Sequence, residues 1–397
     1  MPKNISMPRN SNSEELSVSV SHSLSEVAAA DWDALGDGTY PFTRHCFLYG
    51  LELHDCLEPF GWHPVYFLLQ RDKRLIGAVP CYIKTNSYGE LVFDHAWVNA
   101  YHRSGLDYYP KLVTAIPYTP ATGERFLFNN ELIFDDAERQ LLRETLVQVI
   151  QGFCSDQKLS SWHILFADKS VLDRIEARDI MLRSDVQFHW QNDNYRDFDD
   201  FLSRLSSRKR KNLRKERRSV AEQNIDIRMQ HGGSIEPAEW RRIYDLYAGI
   251  YQRKYGTATL TAEFFQHLGE HMPEQVLAAI TRDQGQIVAA SLFFRSDTHL
   301  YGRIWGCDQY FNNLHFECCY YRGIDYCIAE GLLTFDPGAQ GEHKLSRGFL
   351  PTHTWSGHWI AHPQFREAIE QFLKQELRYI DDYRADLLDH SPYKQAD

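Results

Sequence analysis

What most constrains the fold of this chain is that it carries one pattern twice. In the first half an apolar run, Val65 to Gln70, meets a polar turn at Arg71-Asp72-Lys73-Arg74, then a second apolar run, Leu75 to Val79, and later Ser87-Tyr88-Gly89-Glu90. In the second half Val276 to Ile280 is followed by Arg282-Asp283-Gln284-Gly285, by Gln286 to Ala290, and later by Leu300-Tyr301-Gly302-Arg303. Arg71-Asp72 matches Arg282-Asp283, and Ile76 matches Ile287, at a separation of 211. Tyr88-Gly89 matches Tyr301-Gly302 at 213, and a Tyr-Tyr pair recurs as Tyr108-Tyr109 and Tyr320-Tyr321 at 212. Short apolar runs punctuated by turn residues predict strand, polar turn, strand, short loop, strand in each copy. At 397 residues the chain exceeds one ordinary hydrophobic core and suits two domains. Duplication alone can be a scaffold without chemistry, so the repeat limits the fold before it limits the function.

After the strands each half turns helical. Asp135-Asp136 are placed to cap a helix whose apolar face is Leu142, Leu146, Val149, Ile150 and Phe153, and Trp162 to Phe166 then reads as a buried strand. In the second half Phe316 to Glu330 has helical spacing, Gly331 is a natural stop, and Leu332 to Phe335 reads as a strand. Meander, helix, strand is similar to the order of the acetyltransferase-like (GNAT) fold. That resemblance implies two central strands splayed apart, so that backbone groups can hold a donor's pantetheine arm and pyrophosphate. The expected architecture is α/β with mixed sheets in two tandem GNAT-like acyltransferase domains. Residues 1–25 are expected to be a flexible tail, 26–190 the first domain, 191–385 the second, and 386–397 a C-terminal tail.

Composition narrows the functional classes. Hydrophobic residues at 43% and charged residues at 24% are ordinary for a globular chain. The Ser-, Asn- and Glu-rich start has no apolar core of the kind a signal peptide needs, and no segment reaches the roughly 18 apolar residues of a bilayer span. A cytoplasmic protein is the expectation. Eight cysteines show no C-x-x-C pair and no zinc spacing, which predicts reduced, mostly buried thiols. His353 and His358 have no third ligand at convincing spacing, so no metal site is predicted. No dinucleotide G-x-G-x-x-G and no nucleophile-elbow G-x-S-x-G occurs, so no covalent intermediate is suggested.

A net charge of −11 argues against a general affinity for polyanions, yet one segment opposes it. Eight of the eleven residues from Arg208 to Arg218 are Lys or Arg, among them Arg208, Lys209, Arg210, Lys211, Arg214 and Lys215. Leu202, Leu205, Leu213 and Val220 lie on one helical stripe, Ser206 or Ser207 can cap the helix, and the other faces are cationic. Packing like charges at i, i+4 costs a few tenths of a kcal/mol per pair. An anion is the natural counterpart, whether RNA, a nucleotide phosphate or an acidic headgroup. The alternative is a solvated helix facing Asp197, Asp199 and Asp200 of the same chain.

Leu205 to Ile227, with its Arg-Lys-Asn-Leu-Arg core at Arg210 to Arg214, resembles the segment that opens the second domain of Fem-type peptidoglycan peptidyltransferases. Ser87 to Trp97, Tyr108 to Val113, Tyr301 to Cys307, His315 to Tyr321, Gly338 to Lys344 and Ser356 to Trp359 resemble a bacterial branch of N-acyltransferases. That branch is called FemAB-like, or peptidoglycan biosynthesis/recognition proteins, and the resemblance covers about residues 40 to 365. For the wider Fem group it implies tandem GNAT-like domains and aminoacyl transfer from aminoacyl-tRNA to an amine. It carries no catalytic residues onto this chain.

Acyl transfer to an amine needs a deprotonated amine, a polarised carbonyl and a place for the donor's phosphates. His315-Phe316-Glu317 opens the second-half helix, where backbone N–H groups are available. Gly338 to Lys344 follows a strand and offers Glu342, His343 and Lys344 as base, proton carrier and cation. The catalytic candidates are therefore Glu317, Glu342, His343 and His315, with Lys344 stabilising a carbonyl or a phosphate. Asp94, His95, Trp97, Tyr101 and Arg103, read as a polar and aromatic loop after a strand, are candidates for the substrate pocket, as is Trp305. The expected activity is N-acyl transfer to a small or cell-wall-precursor amine, with acyl-CoA or aminoacyl-tRNA as co-substrate and no tightly bound cofactor. A non-catalytic recognition protein for a cell-wall precursor or an RNA is the rival reading.

Overall fold

Each copy of the repeat is a β-hairpin closed by two residues with positive φ, Asp72 and Lys73 (49° and 66°) in the first and Gln284 and Gly285 (47° and 82°) in the second. Two such residues in succession twist the turn the way the flanking strands twist. Trp62–Arg71 thus pairs with Arg74–Lys84, and Val276–Asp283 with Gln286–Arg295, both antiparallel. In both hairpins the register slips by one residue, leaving Ile76 and Val288 as unpaired bulge residues. Turn and bulge are each related by 212 positions, so the sequence matches at 211 and 213 flank the structural equivalence.

The computed structural model describes residues 5–6, 15–133, 135–254, 256–339 and 341–394. They form two compact units. One runs to Asp185 and also takes Thr354–Asp381; the other takes Val186–His353 and the chain from Asp382 onward. In the first unit the strand order is Leu16–Ser21, Trp62–Arg71, Arg74–Lys84, Lys111–Thr114, Ser161–Leu165 and then Ser356 to Ile360. In the second it is Asp226–His231, Val276–Asp283, Gln286–Arg295, His299–Cys307, Thr334–Asp336 and then Trp190-Gln191. In each, every neighbouring pair is antiparallel except the fourth with the fifth, which is parallel. Identical order and direction establish two copies of one mixed α/β unit.

The helices follow their capping signals. Asp135 accepts from the Ala137 N–H at 3.0 Å and starts Asp136–Asp156, which buries Leu142, Leu146 and Ile150 in the first unit's core. In the second unit the helix runs through Leu314–Phe316, a π-wound turn at Glu317–Tyr321, and Arg322–Glu330. Gly331 ends it in the left-handed region, at φ 68°.

Several expectations are corrected. Ser87 to Glu90 is loop, whereas Tyr301-Gly302 is strand, so the third strand of the first unit is Lys111–Thr114. Tyr108-Tyr109 precedes a strand and Tyr320-Tyr321 lies in a helix, so those pairs are not equivalent. The stretch expected as a loop around Trp97 and Tyr101 is the helix His95–Arg103, with both aromatics on its buried side. Residues 16–25 are not a free tail: Leu16–Ser21 pairs with Trp62–Arg71, and Leu24 is fully buried. At the other end Pro363–Asp389 is helical, Leu387 is buried, and the Tyr393 hydroxyl donates to the Gly348 carbonyl at 2.8 Å. The rest of the expected tails, residues 1–4, 7–14 and 395–397, lies outside the described residues.

Candidate active site

In the second unit the two parallel strands stay together for only three residues. His299 faces Thr334, Leu300 faces Phe335 and Tyr301 faces Asp336, after which His299–Cys307 continues without that neighbour. The register on the strand's other side slips between Gly302 and Ile304, leaving Arg303 as a bulge residue. Its guanidinium grips Asp336 at 2.6 Å, both side chains buried. Burial alone would raise the Asp336 pKa, but Arg303 and His189 hold it down to about 2. Lys344, buried as well, donates to the Gly338 carbonyl at 2.6 Å, and burial pulls its ammonium down to about 8.

Past this parting, the end of the strand and the start of the helix enclose a cavity of about 230 Å³. Trp305, Tyr310, Phe311, Leu314, His315 and Phe316 form most of its wall. The His315 ring stands edge-on to Trp305, with centroids 5.4 Å apart. Burial, helped by the cations of His343, Arg347 and Lys344, lowers its pKa to about 4, so the imidazole is neutral at physiological pH. Beside it the Tyr320 hydroxyl is 2.9 Å from His343 Nε2. Burial drives the Tyr320 pKa upward and the phenol keeps its proton. Partial burial and then Arg347 and Lys344 push His343 downward. The Arg347 guanidinium lies 3.5 Å from the Phe316 ring centre and pairs with Glu216 at 2.8 Å.

The π turn explains why sequence spacing missed Tyr320. Positions five apart diverge on an α-helix, but a π-helix closes i to i+5. His315 and Tyr320 are brought to 5.5 Å between ring centroids. Arg303, Asp336 and Arg347 were equally unmarked, because their partners lie on other elements.

Of the carboxylates expected to act as base, Glu317 is buried, accepts from Arg217 at 3.0 Å and is ion-paired with Arg322 at 3.0 Å. Glu342 is exposed and accepts from the Tyr383 hydroxyl at 2.6 Å. The structure therefore gathers Trp305, His315, His343 and Lys344 in one place, and commits the two carboxylates elsewhere.

The basic helix spans Ser207–Ala221 with Leu213 and Val220 inward, while Leu202 and Leu205 belong to the preceding helix Phe198–Arg204 and its cap. Arg214 pairs with Asp199 at 2.8 Å, and Arg217 with Glu317 and Asp325 over the Phe198 ring. Arg208, Lys209, Arg210, Lys211, Lys215 and Arg218 have no carboxylate partner within 4.0 Å among the described residues, and all but Lys209 and Arg210 are exposed. Intramolecular pairing with Asp197, Asp199 and Asp200 accounts for little of this charge.

In the first unit the carbonyls past the parallel pair are taken by neighbouring backbone and side-chain donors. Beyond Thr114 and Ile164 the Leu165 and Phe166 carbonyls accept from Arg125 Nε at 2.9 Å and from the Gly123 N–H at 3.1 Å. Arg125 is 1% exposed, and its other nitrogens bond the Ala121 and Glu124 carbonyls. This unit also buries a polar network. Lys111 is paired with Glu90 at 2.8 Å and with Asp94, and Asp94 accepts from Tyr108 at 2.7 Å. Tyr108 meets His163 Nε2 at 3.0 Å, and His163 Nδ1 lies 2.7 Å from His358 Nδ1. A consistent proton assignment has His163 sharing its Nε2 proton between Tyr108 and Ser161, His358 donating from Nδ1 to His163, and Ser356 donating to His358 Nε2. The candidate pocket residues divide accordingly. Asp94 is in this network, Trp97 packs on both imidazoles, Tyr101 stacks on Phe365, and His95 and Arg103 are exposed.

Among the described residues no three His, Cys, Asp or Glu side chains are grouped to hold a metal ion, and no helix is long and apolar enough to cross a membrane. Twofold repetition of a sheet whose fourth and fifth strands run parallel, parting after three residue pairs in each copy, defines a tandem GNAT-like protein. The chain belongs to the FemAB-like family, described as peptidoglycan biosynthesis/recognition, whose model matches residues 23–395. Among solved structures it is similar to FemX, at 10% identity and a TM-score of 0.51, with 88% of this chain and 99% of FemX covered. It also overlaps the C-terminal domain of a putative lysylphosphatidylglycerol synthetase from Agrobacterium fabrum, at 9% identity and a TM-score of 0.46, covering 62% of this chain and 79% of that one. A third is a tandem GNAT protein from the clavulanic acid biosynthesis pathway, at 9% identity and a TM-score of 0.42, covering 88% of this chain and 99% of that one. No curated protein sequence matches the chain.

Proposed function

We propose that this protein is an N-acyltransferase whose chemistry sits in the second unit and whose acceptor is an amine, a peptidoglycan precursor by the family's description. The observation that carries this reading is His315: a neutral imidazole on the wall of an open cavity between the end of strand His299–Cys307 and the helix that begins at Leu314. The acceptor nitrogen attacks the carbonyl carbon of a donor ester or thioester. As the C–N bond forms, the nitrogen's proton passes to His315; as the C–O or C–S bond breaks, His315 returns it to the departing oxygen or sulfur. Tyr320, accepting from His343 Nε2, directs its own proton at the carbonyl oxygen, where negative charge develops. His315 thus takes the role of base that spacing assigned to Glu317 or Glu342.

The unpaired cations of Ser207–Ala221 support a donor that carries phosphates, either acyl-CoA or aminoacyl-tRNA, in a protein working in the cytoplasm. The test is amide formation by the full chain from acetyl-CoA and from charged tRNA separately, with binding of each followed across salt concentration. Steeply salt-dependent tRNA binding with amide product supports the ester donor. Tight, salt-insensitive CoA binding with no tRNA binding removes it. Precursor binding without amide from either donor overturns the enzymatic reading in favour of recognition alone.

A further inference from the structure

We infer that the cavity beside His315 selects the group to be transferred, and that it takes an uncharged, apolar acyl group of about phenyl size. This rests on reading the second unit as the transfer site.

Size is the first argument. An apolar protein cavity of about 150 Å³ accepts benzene. One of about 230 Å³ holds such a ring with a short linker, or a straight chain of comparable bulk. An acetyl group would leave most of the wall without a partner, and unmatched walls lose their dispersion contacts outright.

Chemistry is the second. Trp305, Tyr310, Phe311, Leu314 and Phe316 supply apolar and aromatic surface, and the polar wall residues are neutral amides such as Asn312. No Asp, Glu, Lys or Arg lines the cavity. A charged group entering it would leave water without meeting an opposite charge. Neighbouring charges cannot make up the deficit. Glu317 is held by Arg217 and Arg322, and Arg347 by Glu216. Of the acids nearest the wall, Glu317 and Asp308 are both paired with arginine, and the nearest cations, Lys344 and Arg253, already donate to the Gly338 and Cys307 carbonyls. The imidazole on the wall, His315, is kept neutral by burial, and desolvation pushes the Cys307 thiol upward.

Access is the third. Tyr310, 87% exposed, stands on the wall, so the cavity opens to solvent past an aromatic ring.

The experiment keeps the carrier constant and uncharged: acetyl, hexanoyl, phenylacetyl, succinyl and glycyl thioesters of N-acetylcysteamine, titrated calorimetrically into the full-length protein. Each buried methylene is worth roughly a fourfold gain in binding, so four added to acetyl set a ceiling of roughly two-hundredfold. Hexanoyl and phenylacetyl should bind at least about tenfold tighter than acetyl, with anionic succinyl and cationic glycyl weaker than acetyl. Trp305→Ala should remove most of the preference for the longer groups. Asn312→Lys, which brings a cation to the wall without removing core packing, should raise succinyl relative to acetyl. Equal affinity across the series, tightest binding of a charged group, or no thioester binding at all overturns the inference. Amide formation from the donors named above is measured independently. A cavity that does not discriminate, in a protein that still makes amide, leaves the acyl-transfer reading standing.

Discussion

Burial lowers five imidazoles among the described residues, and three of them, His315, His163 and His358, tie stability to pH most strongly. His315 is lowered to about 4, and His163 and His358 fall well below the ordinary 6.5, first through desolvation and then through neighbouring cations. In the unfolded chain all three protonate near 6.5, whereas the native fold resists, so the unfolded state binds more protons below that pH. Their contribution is fully present above about pH 6.5 and is lost as pH falls toward 4. Urea midpoints should therefore drop between pH 7.5 and 5, and His163→Phe with His358→Phe should flatten that slope. His358→Phe alone leaves His163 Nδ1 buried without its donor, and should cost about 1–3 kcal/mol in urea denaturation at pH 7.5. In the second unit, His315→Ala should slow amide formation by about 10²–10⁴-fold with little change in melting temperature. The wild-type rate should show no acid limb near pH 6.5 from this residue, because it is already a free base there. His315 was legible in the sequence because it opens a helix beside aromatic residues. Tyr320 was not, because a spacing of five joins two side chains only where the helix is wound as π.

At the scale of the element, the cationic helix Ser207–Ala221 separates its tasks by face. Its inner face is structural: Leu213 and Val220 are buried, Glu216 binds Arg347 and the Tyr321 hydroxyl, and Arg217 binds Glu317. Its outer cations, among them Arg208, Lys211, Lys215 and Arg218, are exposed. Lys211→Glu with Lys215→Glu should weaken polyanion binding and reduce the slope of log K against log salt by about two, while the melting temperature stays within about a degree. Unchanged binding to charged tRNA in that variant would remove the helix from donor recognition. The helix itself was plain in the sequence from its apolar stripe and charge run. Beyond the pairing with Asp199, which cations are already neutralised was not, since Glu317 and Asp325 reach it only in the fold.

Across the whole molecule, neither unit is a continuous stretch of chain. Ser161–Leu165 in the first unit pairs with Ser356 to Ile360, and the second unit recovers the chain from Asp382 onward. A chain ending at Asp185 lacks that sheet strand and should be insoluble or protease-sensitive throughout. A chain ending at Asp381 keeps the first unit but loses Leu387 and the Tyr393 contact to Gly348. Limited proteolysis of that truncation should cut within Val186–His353 at low protease while sparing peptides from the first unit. Cleavage confined to the first unit would contradict this division.

Local backbone physics made much of this protein readable in advance. Turn residues with positive φ closed both hairpins, Asp135 started a helix and Gly331 stopped one, and each depends only on neighbours a few positions away. Tertiary structure alone set Arg125 and Gly123 on the carbonyls past the first unit's parallel strands. It alone joined His163 to His358, 195 positions apart. A buried polar group takes whatever partner shares its dry interior, and only the packed fold brings such partners together.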